Sequence, residues 1–164
     1  MVEKTRSKTD IVGLLSLGFF LVLLGAIFSA NPDLHVKVYA FLKDLRLQEI
    51  YPGVNFFAPK SSHFEIYTAA FHFCLAFAVF NVLMLGLRFV LREPWGRKAG
   101  TASSILFWSG AAFSFNWLIG GLIDWFTFLG IILIFIGGSI VLGSVIRLVA
   151  LMVISTRGQI SQGR

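Results

Sequence analysis

Four long apolar stretches occupy most of this 164-residue chain, and the charged residues lie almost entirely between them. Only 13% of the residues are charged, about half the proportion usual in soluble domains, whereas 57% are hydrophobic. A stretch of about 20 apolar residues is long enough to cross the hydrocarbon core of a bilayer as a helix. The pattern therefore predicts a polytopic integral membrane protein.

The predicted fold is all-α, a single membrane domain over residues 1–164 with four transmembrane helices. We expect the spans at about 11–30, 66–91, 101–123 and 125–154. The first follows a basic segment, as a signal peptide would, but cleavage after Ala30 would place the bulky Phe28 where a small residue is needed. We therefore expect an uncleaved first span. The fourth stretch exceeds the bilayer thickness, so it must tilt or continue beyond the surface.

Basic residues beside the spans predict the orientation. The long first loop is balanced in charge, and the short third loop carries Asp124 and no basic residue. Cytoplasmic segments of membrane proteins carry an excess of Lys and Arg. Both termini are therefore predicted to be cytoplasmic in a cell membrane, and the net charge of +6 is assigned to lipid rather than to nucleic acid. The flanking basic residues are Lys4, Arg6, Lys8, Arg88, Arg92, Arg97, Lys98, Arg157 and Arg164.

An amphipathic interfacial helix is predicted in the first extracytoplasmic loop, over about residues 32–50. Asn31-Pro32-Asp33 has the composition of a helix start, and Tyr51-Pro52-Gly53 that of a stop. Apolar residues recur between them at i, i+4, i+7, i+8 and i+11. This stripe is the candidate partner-docking face, which we expect to lie on lipid or on protein. It consists of Leu34, Val38, Phe41, Leu42 and Leu45.

Five polar residues fall within or at the boundary of the spans. His72, Asn81 and Asn116 are expected to form hydrogen bonds between helices, or else to line a path for an ion or solute. Arg88 and Arg147 lie at similar distances from the aromatic residues that begin their spans. They either extend to lipid phosphates or line a cationic vestibule for an anion or a lipid headgroup.

Small residues repeat along the last two spans and predict helix-packing faces. Close approach of helices requires such residues, so the two stripes either pack together or leave one free for a partner protein. The predicted packing face consists of Gly110, Ser114, Gly121, Gly130, Gly137 and Ser144.

No catalytic, metal or cofactor site is predicted. The single cysteine, Cys74, allows no internal disulfide. His72 is the only histidine clearly inside a span, so the second ligand of a bis-histidine haem site is missing. The motifs of phosphate-binding loops, zinc proteases and serine hydrolases are not found in the sequence.

The sequence is most consistent with a non-enzymatic small membrane subunit or scaffold within a larger membrane assembly. Its predicted partners are the lipid bilayer and other membrane subunits or copies of itself. The alternative is a small homo-oligomeric channel or carrier, in which symmetry supplies the polar groups that one chain lacks. A third hypothesis is a lipid-modifying enzyme that uses His63, Glu65 and Asp124 near the outer surface.

Overall fold

The structure, a computed structural model, describes the backbone of residues 3–162 and the side chains of residues 13–49 and 52–153. This part of the chain is mostly helical and contains one β-hairpin. It divides into two compact units, Met1–Ala69 and Ala70–Arg164. In chain order, the elements are α1 Glu3–Ala30, α2 Leu34–Asp44, β1 Leu45–Tyr51, β2 Val54–Pro59, α3 Phe64–Val90, α4 Trp95–Ile119 and α5 Trp125–Gln162.

Within the described residues, three helices are long and apolar enough to cross a membrane. The apolar segments are Gly13–Ala30 in α1, Phe64–Val90 in α3 and Trp125–Val153 in α5. The protein is therefore membrane-embedded, as the composition predicts. The region expected to form the third span, 101–123, lies in and just after α4, which is not among the three. Serine, threonine and glycine lower the hydropathy of α4, and several of these residues are buried.

The loop between α1 and α3 departs from the all-α prediction. The amphipathic helix ends at Asp44 instead of near Ile50, and Leu45–Tyr51 forms a strand paired with Val54–Pro59. Leu45 and Leu47 alternate with polar residues, which suits a strand. The Pro52-Gly53 turn, with Gly53 at φ +81, brings the second strand back alongside the first.

Polar contacts of the backbone order the rest of the N-terminal unit. At the end of α1, the Ile27 carbonyl accepts hydrogen bonds from both the backbone NH and the side-chain amide of Asn31, at 3.1 and 3.0 Å. The backbone NH of Gly53 bonds to the Glu49 carboxylate at 2.7 Å across the hairpin turn. Leu34 at the start of α2 is 5% exposed and belongs to the core of this unit.

α4 and α5 form an antiparallel hairpin in the C-terminal unit. Three contacts fix the register: Phe115 against Phe128, Gly110 against Phe135, and Ser103 against Gly143. The turn between the helices includes Gly121 at φ +67, a conformation that favours glycine. Asp124 then caps α5 by accepting a hydrogen bond from the Thr127 NH at 2.7 Å.

α4 also packs against α3. Cys74 of α3 lies in a buried cluster with Ala111 and Ala112 of α4. Trp108 contacts the rings of Phe73 and Phe77 edge to face, at centroid distances of 5.7 and 4.9 Å. α4 therefore has packing partners on both α3 and α5.

Candidate functional site

The loop between α1 and α3, residues 31–63, is held to the start of α3 by a hydrogen-bonded carboxylate. We call this segment the connecting module. Oδ2 of Asp44 accepts a hydrogen bond from the backbone NH of Ser61 at 2.7 Å and lies 2.9 Å from Nε2 of His63. Both bonds favour the charged carboxylate, and the His63 contact is the main cause of a lowered pKa of Asp44. The ring of Phe41 packs edge to face on His63 and on Tyr67.

A cavity of about 220 Å³ lies beside this contact. Lys37 and Glu65 form an ion pair of 2.6 Å at its wall, and Ser62 and His63 also contribute to the lining. This brings together His63 and Glu65, two of the residues of the lipid-enzyme hypothesis. The His63 ring bonds to Asp44, and among the described side chains it is not hydrogen-bonded to a serine hydroxyl, although Ser62 lines the same cavity.

The predicted docking face is divided by the fold of the module. Leu34 is buried, and Phe41 and Leu45 are half-buried, so these three side chains pack within the unit. Val38 and Leu42 are exposed. The hairpin, which the sequence reasoning missed, adds exposed apolar side chains at Val54, Phe56, Leu47 and Phe57, of which the last two face each other across the strands. The alternation around Leu45 and Leu47 was the signal for it.

Arg88 and Arg147, the two predicted boundary arginines, have different surroundings. Arg88 at the end of α3 contacts Glu93 at 3.3 Å, and Arg97 in the first turn of α4 contacts the other oxygen of the same carboxylate at 3.4 Å. Glu93 is only 7% exposed, so one nearly buried carboxylate links the two helix ends. The role of Arg97 was missed in the sequence reasoning.

Arg147 lies in a groove between α4 and α5, at the end of the hairpin opposite its turn. The groove has a volume of about 250 Å³. Gly143 is buried there because its Cα approaches the Ser103 side chain. No carboxylate among the described side chains forms an ion pair with Arg147.

The three other polar candidates do not converge on one site. The side-chain amide of Asn81 donates to the Phe77 carbonyl of its own helix at 2.8 Å. Asn116 lines a largely apolar cavity of about 270 Å³ between α3 and α4, together with Ser109. His72 is exposed, and its ring packs on Phe71. The predicted interhelical hydrogen bonds of these residues remain predictions.

The predicted small-residue face is divided between two sides of the hairpin. Gly110 and Ser114 lie in the α4–α5 contact, and Ser114 donates to the Gly110 carbonyl at 2.8 Å. On α5 the contact uses Phe128, Phe135 and Gly143 instead. The rest of the predicted face is exposed, and its glycines have open space around them; it consists of Gly121, Gly130, Gly137 and Ser144.

No group of three metal-ligating side chains occurs within the described residues. The pKa of Asp124 is lowered chiefly by its bonds to Thr127, as expected of a helix cap. The arrangement offers a module with apolar side chains on its surface, an ionic contact between α3 and α4, and a groove with an arginine. Comparison of the chain with protein-family models, curated proteins and solved structures finds no match.

Proposed function

We propose that this protein is a non-enzymatic subunit or scaffold of a larger membrane assembly, which docks a partner subunit through its connecting module. The observation that carries the proposal is the exposure of Leu42, Leu47 and Phe57, each about 60% exposed. These residues lie outside the three apolar helices, so their exposure is not that of a membrane-spanning surface. Leu47 and Phe57 face each other across the β-hairpin, and adjoining exposed apolar side chains are typical of interaction sites.

The contacts within the module support a docking role. The Asp44–His63 contact, the Lys37–Glu65 ion pair and the packing of Phe41 hold α2 against the start of α3. A surface that is already ordered before it binds loses less conformational entropy on association. The His63 ring is engaged with Asp44, which favours a structural role of this histidine over a catalytic one.

Four spans remain our proposal for the topology. α4 runs antiparallel to α5 from Phe115 to Ser103, so a membrane-crossing α5 carries α4 across beside it. The 25 residues of α4 extend about 38 Å, which exceeds the hydrocarbon thickness of about 30 Å. Thr101 and Ser114 of α4 are buried, which keeps these two hydroxyl groups away from lipid.

With four spans, both termini lie on the same side as the turn between α3 and α4. Arg92, Arg97 and Lys98 lie in this turn or in the first turn of α4. The positive-inside rule then makes this side cytoplasmic and places the connecting module on the opposite face. Cysteine substitution at Arg92 and at Lys60, both exposed, followed by labelling with an impermeant reagent, tests the orientation. Labelling of Lys60→Cys alone in intact cells is expected.

The composition of the native particle tests the function. The full-length protein is extracted from its own membrane with a mild detergent, and the mass and polypeptide content of the particle are measured. We expect other polypeptides at fixed stoichiometry, and their loss when Leu47 and Phe57 are both replaced by Ser. A matched control is Arg46→Ser, an exposed position on the same strand. An unchanged particle in the double variant would overturn the docking role.

A particle containing only copies of this chain would instead favour the alternative, a homo-oligomeric channel or carrier. A channel or carrier would place its path at the cavity lined by Asn116 and Ser109. Ion or solute flux in liposomes that changes with Asn116→Leu would then be required. Equal flux in the variant and the wild type would exclude this cavity from the path.

A further inference from the structure

The groove at the open end of the α4–α5 hairpin combines a cation with free space. It is lined by Gly100, Ser103, Ser139, Gly143, Ser144 and Arg147, together with Ile140. Gly100 has open space around its Cα, whereas Gly143 lies against the Ser103 side chain, and three serine hydroxyls line the groove. Each hydroxyl donates to a carbonyl of its own helix, at 2.8 to 3.0 Å. A hydroxyl that rotates toward a ligand exchanges this bond for one to the ligand, and the carbonyl it leaves still accepts a hydrogen bond within its helix.

The charge of Arg147 is not neutralised by the hairpin. Neither α4 nor α5 contains an aspartate or a glutamate. Glu93, the nearest acid in sequence to α4, is already shared by Arg88 and Arg97. An arginine on an apolar membrane helix requires a counter-ion or access to the headgroup region. The counter-ion of Arg147 must therefore come from outside the hairpin.

The position of Arg147 along α5 identifies the depth of the groove. Arg147 follows Trp125, the first residue of α5, by 22 positions, which corresponds to about 33 Å of helix. The hydrocarbon core is about 30 Å thick, and Trp is enriched at its boundaries. With Trp125 at one boundary, the guanidinium of Arg147 lies at the headgroup level of the other.

We infer that this groove binds the phosphate group of an anionic phospholipid, with Arg147 as the charged ligand and the serine hydroxyls as further donors. A guanidinium binds two phosphate oxygens in a fork. In phosphatidylcholine the choline cation offsets the phosphate charge, whereas an anionic phospholipid has no such internal counter-ion and should bind the arginine more tightly. The acyl chains would then follow the apolar surface of α5, where Val141, Val145 and Leu148 are exposed. The inference requires membrane insertion of α5 and not the docking role of the connecting module.

Lipid binding to the purified full-length protein tests the inference. The protein in neutral detergent is titrated with phosphatidylglycerol, phosphatidylcholine or inorganic phosphate, and bound lipid is counted by native mass spectrometry. Inorganic phosphate is followed by equilibrium dialysis. We expect phosphatidylglycerol to bind more tightly than phosphatidylcholine. Arg147→Gln is expected to raise its dissociation constant about fivefold, the factor for one arginine near an anionic surface.

Three further variants separate the groove from general charge. Ser144→Leu keeps the arginine but fills the space, and we expect it to weaken binding as much as Arg147→Gln. Arg147→Lys should retain part of the affinity, because a lysine keeps the charge but not the fork. The matched control is Arg92→Gln, because Arg92 is an exposed arginine of the α3–α4 turn outside the groove. This variant should bind phosphatidylglycerol almost as the wild type does. Thermal unfolding of each variant without lipid shows that it is folded.

Binding of inorganic phosphate with the same dependence on Arg147 would support the phosphate site and show that free phosphate is its source. Equal binding of the two lipids, or equal losses in Arg92→Gln and Arg147→Gln, would overturn the inference. The same applies if Ser144→Leu binds phosphatidylglycerol as the wild type does.

Discussion

The connecting module and the α4–α5 hairpin are held together in different ways. In the module, charged and polar side chains far apart in sequence meet, as Asp44 and His63 do across 19 residues. In the α4–α5 hairpin, small residues make the close contacts: the ring of Phe135 packs against Gly110, and the side chain of Ser103 packs against Gly143. Polar contacts suit a segment that lies beside water, whereas close packing is what remains available between helices in lipid.

The difference has a practical consequence for substitutions. Shape decides stability in the hairpin, so an added methyl group matters more than a lost hydrogen bond. In the connecting module, we expect stability to depend on the charge of Asp44 and on the ring of Phe41, and to change little with substitutions at exposed positions. The four changes below test this contrast.

Gly110→Ala should have the largest effect. A Cβ at this position would overlap the ring of Phe135, which is too large to move aside without repacking α5. We expect a loss of about 3 kcal/mol in the free energy of unfolding, the upper range for overpacking. Denaturant titration in mild detergent measures it. Gly130→Ala, with open space around its Cα, is the control and should be neutral or slightly stabilising. Equal stability of the two variants would show that close packing does not hold the hairpin.

Phe41→Ala should have the next largest effect, confined to the connecting module. Phe41 is half-buried and contacts the rings of His63 and Tyr67. We expect a loss of about 2 kcal/mol, less than for a fully buried phenylalanine. Hydrogen exchange of α2 amides should quicken accordingly. Leu42→Ala changes the adjacent exposed residue and should alter exchange by less than about 0.5 kcal/mol. Faster exchange in α5 would contradict a module-specific effect.

Gly143→Ala should cost less, about 1 kcal/mol, and should be reversible by a second change. The new Cβ would lie 2.5 Å from Oγ of Ser103, which is the end of a short side chain. Ser103→Ala removes that oxygen, and the next contacts, at 3.6 and 3.9 Å, are ordinary. A double-mutant cycle by thermal unfolding should therefore show coupling of about 1 kcal/mol. Simple additivity would mean that the two helices separate instead.

Acidification should produce the smallest effect, on the Asp44 contact. The folded module lowers the pKa of this carboxyl, so its stabilisation is complete above the usual aspartate value of about 3.9. It is lost as the pH falls through the lowered pKa. Relative to the intrinsic exchange rate at each pH, the amides of the β-hairpin should keep their protection down to about pH 4 and lose part of it below that value. Asp44→Asn should remove this dependence, and Asp33→Asn should not; dependence in both would assign the effect to another group.

The membrane character of the chain and the starts of α3 and α5 could be predicted from the sequence because long apolar runs are local signals. The β-hairpin could not be predicted in the same way. Leu45 and Leu47 alternate with polar residues as in a strand, but Leu45 also continues the helical spacing of Val38 and Phe41. The pairing that decides between them comes from residues 54–59. α2 therefore ends where cross-strand hydrogen bonds replace helical ones, at Asp44.

The face of α5 that packs against α4 also could not be predicted from the sequence. Its sequence is apolar on all sides, so a repeat of glycines every seven residues does not say which side meets α4. Gly143 lies six residues after Gly137, on a different face, and it makes the contact. The cation of the groove, in contrast, was predicted as a boundary residue, because an arginine in an apolar helix is conspicuous in any sequence.

α5 extends well beyond its last close contact with α4. Its 38 residues form a rod of about 57 Å, and the contacts with α4 are distributed from Phe128 to Gly143. The contact at Gly143 is followed by 19 residues, a lever of about 28 Å, so a tilt of about 10° there would displace the far end of α5 by about 5 Å. A ligand that binds α5 beyond Gly143, as inferred for Arg147, would limit this displacement.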